Sequence, residues 1–226
     1  MQLTDRATKY LNELKRIDEL VLDKQETIDY CKRQNFPLTE TLLRVQMKFS
    51  GYKLTIRNDK GHGFLLRLFA KYDIEENRNI EFYYVGDNYV VDFGEHDTAP
   101  FHFYISDLGE LCTLGHHEGD TPNIVCSSIE KYIEQYALLN DLALQQKDKC
   151  YHDFLKSDEL TRLLELGFTK IEECSDKYSQ WFTNGHLTID KGTWLDRPEF
   201  YLRVYGQDEG SINEFVASLK KDKIIA

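Results

Sequence analysis

One segment indicates the fold class of this chain: Phe101-His102-Phe103-Tyr104-Ile105-Ser106-Asp107-Leu108-Gly109-Glu110-Leu111. Its first part, through Ser106, is rich in aromatic and β-branched residues, which favour strands. Asp107-Leu108-Gly109 then supplies turn residues before apolar residues resume at Leu111. The segment therefore predicts a strand, a tight turn and a second strand, which is the unit of an antiparallel sheet.

The residues before this segment repeat the same pattern of strand and turn. The earlier strand-like runs are Tyr52 to Arg57, Gly63 to Tyr72, Ile80 to Val85 and Tyr89 to Phe93. Gly86-Asp87-Asn88 separates the last two runs and is typical of a hairpin turn. We therefore expect a central antiparallel sheet of about five to six strands.

Helical patterns flank this sheet on both sides in the sequence. From Thr4 to about Leu22 apolar residues recur every three or four positions, which predicts an amphipathic helix. Thr39 is a candidate N-cap for a second helix that ends before Gly51. Ser127 followed by Glu130 matches a capping box at the start of a third helix.

The last third of the chain predicts a smaller α+β unit. A helix is expected from Ser157 to Gly167, a hairpin around Asn184-Gly185, a strand from Phe200 to Tyr205 and a last helix from Ser211 to about Lys220. The predicted fold is therefore α+β, with a domain over residues 1–149 and a C-terminal extension over residues 150–226. The sequence leaves open whether the extension is a separate domain or a layer packed on the first.

The composition limits the functional classes. The chain has 226 residues, 28 Lys and Arg against 39 Asp and Glu, and a formal net charge of −11. An aromatic content of 13% favours a globular protein over a disordered one, and no apolar run is long enough to span a bilayer. The acidic balance argues against binding to nucleic acid, because phosphates require a basic face, but it favours encounter with basic proteins.

The cysteines and the N-terminus predict where the protein works. Five cysteines are scattered through the chain without a CxxC pair, which indicates buried thiols in a reducing compartment. The first ten residues are polar and precede no apolar signal core. We therefore expect a cytoplasmic protein without a membrane anchor.

Three segments together resemble the SUKH superfamily, which joins fungal cell-wall assembly regulators to bacterial immunity proteins. The first is Phe36-Pro37-Leu38-Thr39-Glu40 with Phe49-Ser50-Gly51, similar to a proline-led helix that ends in an aromatic residue and a glycine. The second is the strand, Asp-x-Gly turn and strand that begins at Phe101. The third, Ile124 to Ile133, is similar to the family's strand that leads through serines into a helix. The resemblance covers roughly residues 27–141, and the segment after Tyr151 lies outside it.

The resemblance implies a protein that binds another protein and is not an enzyme. Its bacterial relatives neutralise a cognate toxin by covering the toxin's active site, and a charge of −11 suits a basic, nuclease-like toxin. About half of the strand aromatics are expected to face outward and to serve as anchors. The candidate partner-binding residues are Asp87, Tyr89, Glu95, Asp97, Glu118 and Asp120. We expect no cofactor and no metal.

An enzyme or a small-ligand protein is the first alternative. It would use a pocket between the sheet and the C-terminal unit, together with the loop His116-His117-Glu118-Gly119-Asp120. This loop lacks the HExxH spacing that places two imidazoles on one helix face, so we expect a solvated loop. If a metal binds, His116, His117 and Asp120 are the expected ligands. A regulatory scaffold is a second alternative that the sequence leaves open.

Two other groups of reactive residues favour structural interpretations. His96-Asp97 could pair a base with an orienting carboxylate, but no serine or cysteine lies in a recognisable nucleophile motif. Cys112 and Cys126 flank the histidine-rich loop, and each lies within an apolar strand-like run. We therefore expect both cysteines to be small buried hydrophobic residues.

Overall fold

The computed structural model describes residues 2–57, 61–99, 101–114, 121–156, 161–195 and 199–225. The predicted α+β class, with an antiparallel sheet flanked by helices, is confirmed. The helices are α1 (Asp5–Glu13), α2 (Lys24–Arg33), α3 (Glu40–Phe49), α4 (Lys71–Glu75), α5 (Ile129–Leu144), α6 (Thr161–Glu165) and α7 (Glu209–Lys221). The strands are β1 (Lys53–Thr55), β2 (Gly63–Leu65), β3 (Phe82–Val85), β4 (Asn88–Asp92), β5 (Glu95–His96), β6 (Phe103–Ser106), β7 (Leu111–Thr113), β8 (Asn123–Cys126), β9 (Lys149–Phe154), β10 (Thr169–Lys170), β11 (Gln180–Thr183), β12 (Thr188–Thr193) and β13 (Phe200–Gly206).

The strands form three antiparallel sheets, in the orders β1-β2-β5, β3-β4-β6-β7-β8 and β10-β11-β12-β13-β9. The predicted turns at Gly86-Asp87, Asp107 to Gly109 and Asn184-Gly185 each join two neighbouring strands. The strands expected in one central sheet are instead divided between the first two sheets. The reason is Gly94, whose φ of +66° turns the chain after β4 so that β5 pairs with β2.

The first predicted helix is too long. The helix α1 ends at Glu13, and a short 3-10 turn follows at Asp18–Leu20. Between them the backbone N–H of Ile17 donates to the carbonyl of Gly51 at 2.9 Å, and Arg16 forms a β-bridge with Tyr52. Because these long-range bonds need an extended backbone, the segment does not continue the helix although its apolar spacing fits one.

Two other local predictions are also corrected. The run from Gly63 to Tyr72 is a strand only through Leu65, and α4 begins at Lys71 because the carboxylate of Asp73 accepts the N–H of Ala70 at 2.8 Å. The N-cap of α5 is Ser128, not Ser127, and its hydroxyl accepts the N–H of Lys131 at 3.2 Å. The predicted capping box is therefore absent.

Three hydrophobic clusters organise these layers. The first contains α1, α2, α3 and the inner face of the five-stranded sheet that ends at β8, and it extends to Ala137 in α5. The second lies between α7 and one face of the C-terminal sheet. Leu138 and Leu142, on the second half of α5, pack against Trp181 and Tyr205 on the opposite face of the C-terminal sheet. The helix α5 thus connects the two halves of the molecule.

Polar contacts strengthen this connection. The buried carboxylate of Glu134 in α5 accepts the backbone N–H of Thr4 at 2.7 Å, and Gln135 donates to the carbonyl of Cys174 at 3.0 Å. Asp176 accepts the N–H of Ser127 at 2.7 Å. The segment before β11 is therefore fixed to the start and the middle of α5.

The cysteines are free thiols, and all except Cys150 are buried, including Cys112 and Cys126. The expectation of buried thiols is therefore confirmed for four of the five. Within the part of the chain that the structure describes, no helix combines the length and the apolar surface needed to cross a bilayer.

Candidate functional site

The acidic residues predicted to bind a partner lie at separate places. Asp87 is exposed in the turn between β3 and β4, whereas Glu95 and Asp97 follow β4 at its other end, so about five residues of strand, or roughly 17 Å, separate them. The Asp97 carboxylate contacts Lys53 at 2.9 Å and accepts the N–H of Gly63 at 2.8 Å. These bonds, that from Lys53 foremost, lower the pKa of Asp97. They give it a structural role between β1 and β5.

Tyr89 belongs to the core and not to the surface. Its side chain is buried, its hydroxyl donates to the carbonyl of Pro37, and its ring packs edge-on against Phe36 and Phe82. Burial raises the pKa of Tyr89 to about 12. The expectation that this tyrosine is a surface anchor does not match its position, because β4 directs it toward the helices.

The remaining predicted site residues, His116, His117, Glu118 and Asp120, lie outside the described residues. Among the residues that are described, no three His, Cys, Asp or Glu side chains come together as metal ligands.

The exposed aromatic residues of the sheet lie on β3. Tyr84 is 70% exposed and Tyr83 is 47% exposed, and Leu108, in the turn between β6 and β7, is 62% exposed. The turn before β4 and the turn after β6 lie at the same end of the sheet. Val90 pairs with Ser106 there, and the N–H of Asp107 donates to the carbonyl of Tyr89. We call the exposed hairpin with Tyr83, Tyr84 and Asp87, together with Leu108, the hairpin surface.

The hairpin surface combines exposed rings with acidic groups. The ring of Tyr83 packs edge-on against Tyr104 at 5.9 Å between centroids, which holds it in place. Burial raises the pKa of Tyr104, and the nearby carboxylates of Asp92 and Glu81 raise it further. Arg67 neutralises Asp92 at 3.4 Å, whereas Glu81 and Asp87 form no salt bridge with any residue that the structure describes. Tyr83 and Tyr84 are adjacent in β3 and therefore lie on opposite faces of the sheet. The hairpin surface thus presents an edge strand with one exposed ring on each face and the charge of Asp87 at its turn.

A cavity of about 800 Å³ lies between the two halves of the molecule. It is bounded by α5, by the segment between β5 and β6, and by the face of the C-terminal sheet that points away from α7. Aromatic side chains form much of its wall: Phe101, Tyr132, Tyr136, Trp181, Trp194 and Tyr201. We call it the interlayer cavity.

A charged pair stands in the wall of the interlayer cavity. Asp190 in β12 and Arg203 in β13 occupy directly paired positions, so their side chains leave the same face of the sheet. The carboxylate of Asp190 lies 3.7 Å from the guanidinium and is 1% exposed. The guanidinium also lies over the ring of Tyr201, 4.2 Å from its centroid.

The sequence prediction missed this pair. Its signal was present in Leu187-Thr188-Ile189-Asp190 and Leu202-Arg203-Val204, where polar residues alternate with residues of the core that contains α7. Such alternation normally places the charge in solvent. Because α5 lies over this face, Asp190 is buried and Arg203 lines the interlayer cavity.

Comparison with protein-family models, with curated proteins and with solved structures finds no match to any of them.

Proposed function

We propose that this protein is a non-enzymatic protein-binding module of the immunity type, which neutralises a basic toxin by covering it with the hairpin surface. The observation that carries the proposal is the exposure of Tyr84, 70%, and Tyr83, 47%, on an edge strand that ends at the exposed Asp87. The resemblance to immunity proteins of the SUKH superfamily supports the same class of function.

The two properties of the hairpin surface have different roles in binding. The net charge of −11 attracts a basic partner over long range and raises the rate of association. The aromatic side chains provide contact area that is excluded from water in the complex, and such anchors dominate affinity. Asp87, at the edge of the hairpin surface, is expected to affect association more than dissociation.

The backbone of β3 offers a further contact. This strand is at the edge of its sheet, with β4 on one side only. Its N–H and C=O groups on the other side are available to a partner strand in the manner of strand addition. Tyr83 and Tyr84 would then flank the added strand, one on each face of the sheet.

The test is a binding and inhibition assay with the candidate toxin domain encoded by a neighbouring gene. We expect a one-to-one complex that abolishes toxin activity. Tyr84→Ala is expected to weaken binding by about 30-fold, mainly through faster dissociation, because it removes a central anchor. Asp87→Lys is expected to slow association and to reduce its dependence on salt.

Two leucines provide a matched control. Leu108 in the hairpin surface is 62% exposed, and Leu164 in α6 is 53% exposed. Leu108→Ala should weaken the complex, whereas Leu164→Ala should leave it unchanged. A complex that tolerates Tyr84→Ala, Asp87→Lys and Leu108→Ala would exclude the hairpin surface as the interface. If the protein neither binds nor inhibits a basic protein encoded by a neighbouring gene, the immunity function itself is refuted.

A further inference from the structure

The interlayer cavity has the size of a small-molecule site. Its volume of about 800 Å³ lies within the range of about 300 to 1,000 Å³ that is usual for such sites. It lies between packed layers of the protein, α5 and the C-terminal sheet, and it is separate from the hairpin surface. A function for it is therefore independent of the proposed binding to a toxin.

The wall formed by the C-terminal sheet is flat and aromatic. Trp181 and Tyr205 stack with their rings 11° apart and their centroids 6.1 Å apart. Tyr201 lies across Gly192, where a Cβ atom would approach the tyrosine hydroxyl to 2.3 Å. The absence of a side chain at Gly192 thus allows Tyr201 to lie close to the sheet and leaves space above it. Such walls suit a ligand with a flat apolar body.

The charged group that this wall presents to the cavity is Arg203. The Asp190 side chain is 1% exposed, whereas 39% of the Arg203 side chain is accessible. Arg203 is on a strand between β12 and β9, so its accessible part faces the cavity and not a sheet edge. The guanidinium has five N–H groups, and the contact of 3.7 Å with Asp190 and the hydrogen bond with Tyr205 leave some of them for another acceptor.

We propose that the interlayer cavity binds a small organic anion with a flat apolar body, whose carboxylate or phosphate group is held by Arg203. The planar guanidinium can donate two parallel hydrogen bonds to either group. A cationic ligand would meet the positive charge of Arg203 before it reached the buried Asp190. Apart from tyrosines, the other ionisable residues of the wall are His96 and Asp148, and Asp148 is exposed.

The test uses two fluorescent probes of similar shape. One is 1-anilinonaphthalene-8-sulfonate, an anion, and the other is N-phenyl-1-naphthylamine, which lacks the charge. We expect saturable binding of one anionic probe per chain and its displacement by 2-naphthoate or 1-naphthyl phosphate. Which competitor is stronger distinguishes a carboxylate ligand from a phosphate ligand.

Three variants assign the binding to the cavity and to its charges. Arg203→Met should lower the affinity for the anionic probe by about tenfold or more, while the affinity for the neutral probe should change by less than about twofold. Asp190→Asn should strengthen the anionic probe, because it removes a negative charge beside Arg203. Leu139→Trp, which fills the cavity from α5, should weaken both probes. Circular dichroism and urea denaturation verify that each variant is folded.

Several results would overturn the proposal. Unchanged binding of the anionic probe in Arg203→Met would exclude Arg203 as its partner. Preferential binding of 1-naphthylmethylammonium, weakened by Asp190→Asn, would make the cavity a cation site. Displacement of the probe by a protein toxin would assign the cavity to the protein interface. The absence of saturable binding of all these probes would refute a small-molecule site.

Discussion

Replacing Asp190 with Asn tests how strongly the interlayer cavity perturbs a carboxyl group. Burial raises the pKa of Asp190 from its ordinary 3.8 to about 6. The positive charge of Arg203 and hydrogen bonds from Tyr201 and Ser179 oppose this shift, but they do not cancel it. The folded protein therefore holds a proton on Asp190 at pH values where the unfolded chain has lost it.

This difference makes the effect of Asp190→Asn depend on pH. Below pH 3.8 the carboxyl is neutral in both states and costs nothing, whereas above pH 6 the ionised carboxylate destabilises the folded protein in full. The difference between about 6 and 3.8, at about 1.4 kcal/mol per pH unit, gives about 3 kcal/mol at pH 8. At pH 4.5 the destabilisation by the Asp190 carboxylate is about 1 kcal/mol. The neutral Asn should therefore stabilise the protein by about 2 kcal/mol more at pH 8 than at pH 4.5.

The assay is urea denaturation of the wild type and of Asp190→Asn at pH 4.5, 6 and 8. The difference between the two free energies of unfolding cancels the titration of all other groups. A difference that stays constant over this range would refute the argument, because it would show that the Asp190 carboxyl is well solvated.

Asp153 in β9 provides a control of opposite sign. Burial acts to raise its pKa, but hydrogen bonds from Tyr151 and the backbone of Phe154 and the charge of Lys220 more than compensate, so the pKa is lowered. Its contribution to stability is therefore present at pH 8 and lost as the pH falls through its folded pKa. Asp153→Asn should destabilise the protein at pH 8 and do so less at low pH.

Three further predictions concern stability and reactivity. Glu134→Gln should lower the free energy of unfolding, measured by urea denaturation, by about 3 kcal/mol. Glu134 is fully buried and its carboxylate accepts hydrogen bonds from Thr4 at the N-terminus of α1. A loss below about 1 kcal/mol would contradict this role. Gly94→Ala should lower the free energy of unfolding by more than about 2 kcal/mol, since a Cβ would lie 2.5 Å from a carbonyl oxygen. Gly185 has a similar φ and open space around it, so Gly185→Ala should lower it by only about 1 kcal/mol. Equal losses would refute the steric argument. In Ellman's assay Cys150 should be the first thiol to react in the folded protein, but more slowly than a free thiol, because burial raises its pKa. All five thiols should react in denaturant, and reaction of a second thiol in the folded protein as fast as Cys150 would contradict the burial of the others.

The sequence predicted the features that depend on a few neighbouring residues. Gly86-Asp87 and Asn184-Gly185 form the expected turns, because positive φ at a glycine is a local property. Thr39 caps α3 as expected, and its hydroxyl accepts the N–H of Leu42 at 3.2 Å. These elements need no knowledge of the rest of the fold.

The failures concern residues whose environment is set by distant parts of the chain. The segment around Ile17 has helical spacing, but it is extended because it bonds to Gly51. Tyr89 has the pattern of a surface aromatic, but α2 and α3 cover its face of the sheet. Asp190 and Arg203 have the pattern of a solvated strand face, but α5 covers them. In each case the packing partner lies more than 30 residues away, beyond the reach of local periodicity.

The two proposed sites lie at opposite ends of β6, which makes their tests independent. Phe103 begins the strand and lines the interlayer cavity, whereas Leu108 follows its other end in the hairpin surface, five residues or roughly 17 Å away. We therefore expect Leu139→Trp to leave toxin binding unchanged and Leu108→Ala to leave the affinity for 1-anilinonaphthalene-8-sulfonate unchanged. Titration of each variant with the toxin and with 1-anilinonaphthalene-8-sulfonate measures the two affinities. An effect of either variant on the other site beyond about threefold would mean that β6 couples the two sites, and ligand binding would then regulate recognition of the toxin.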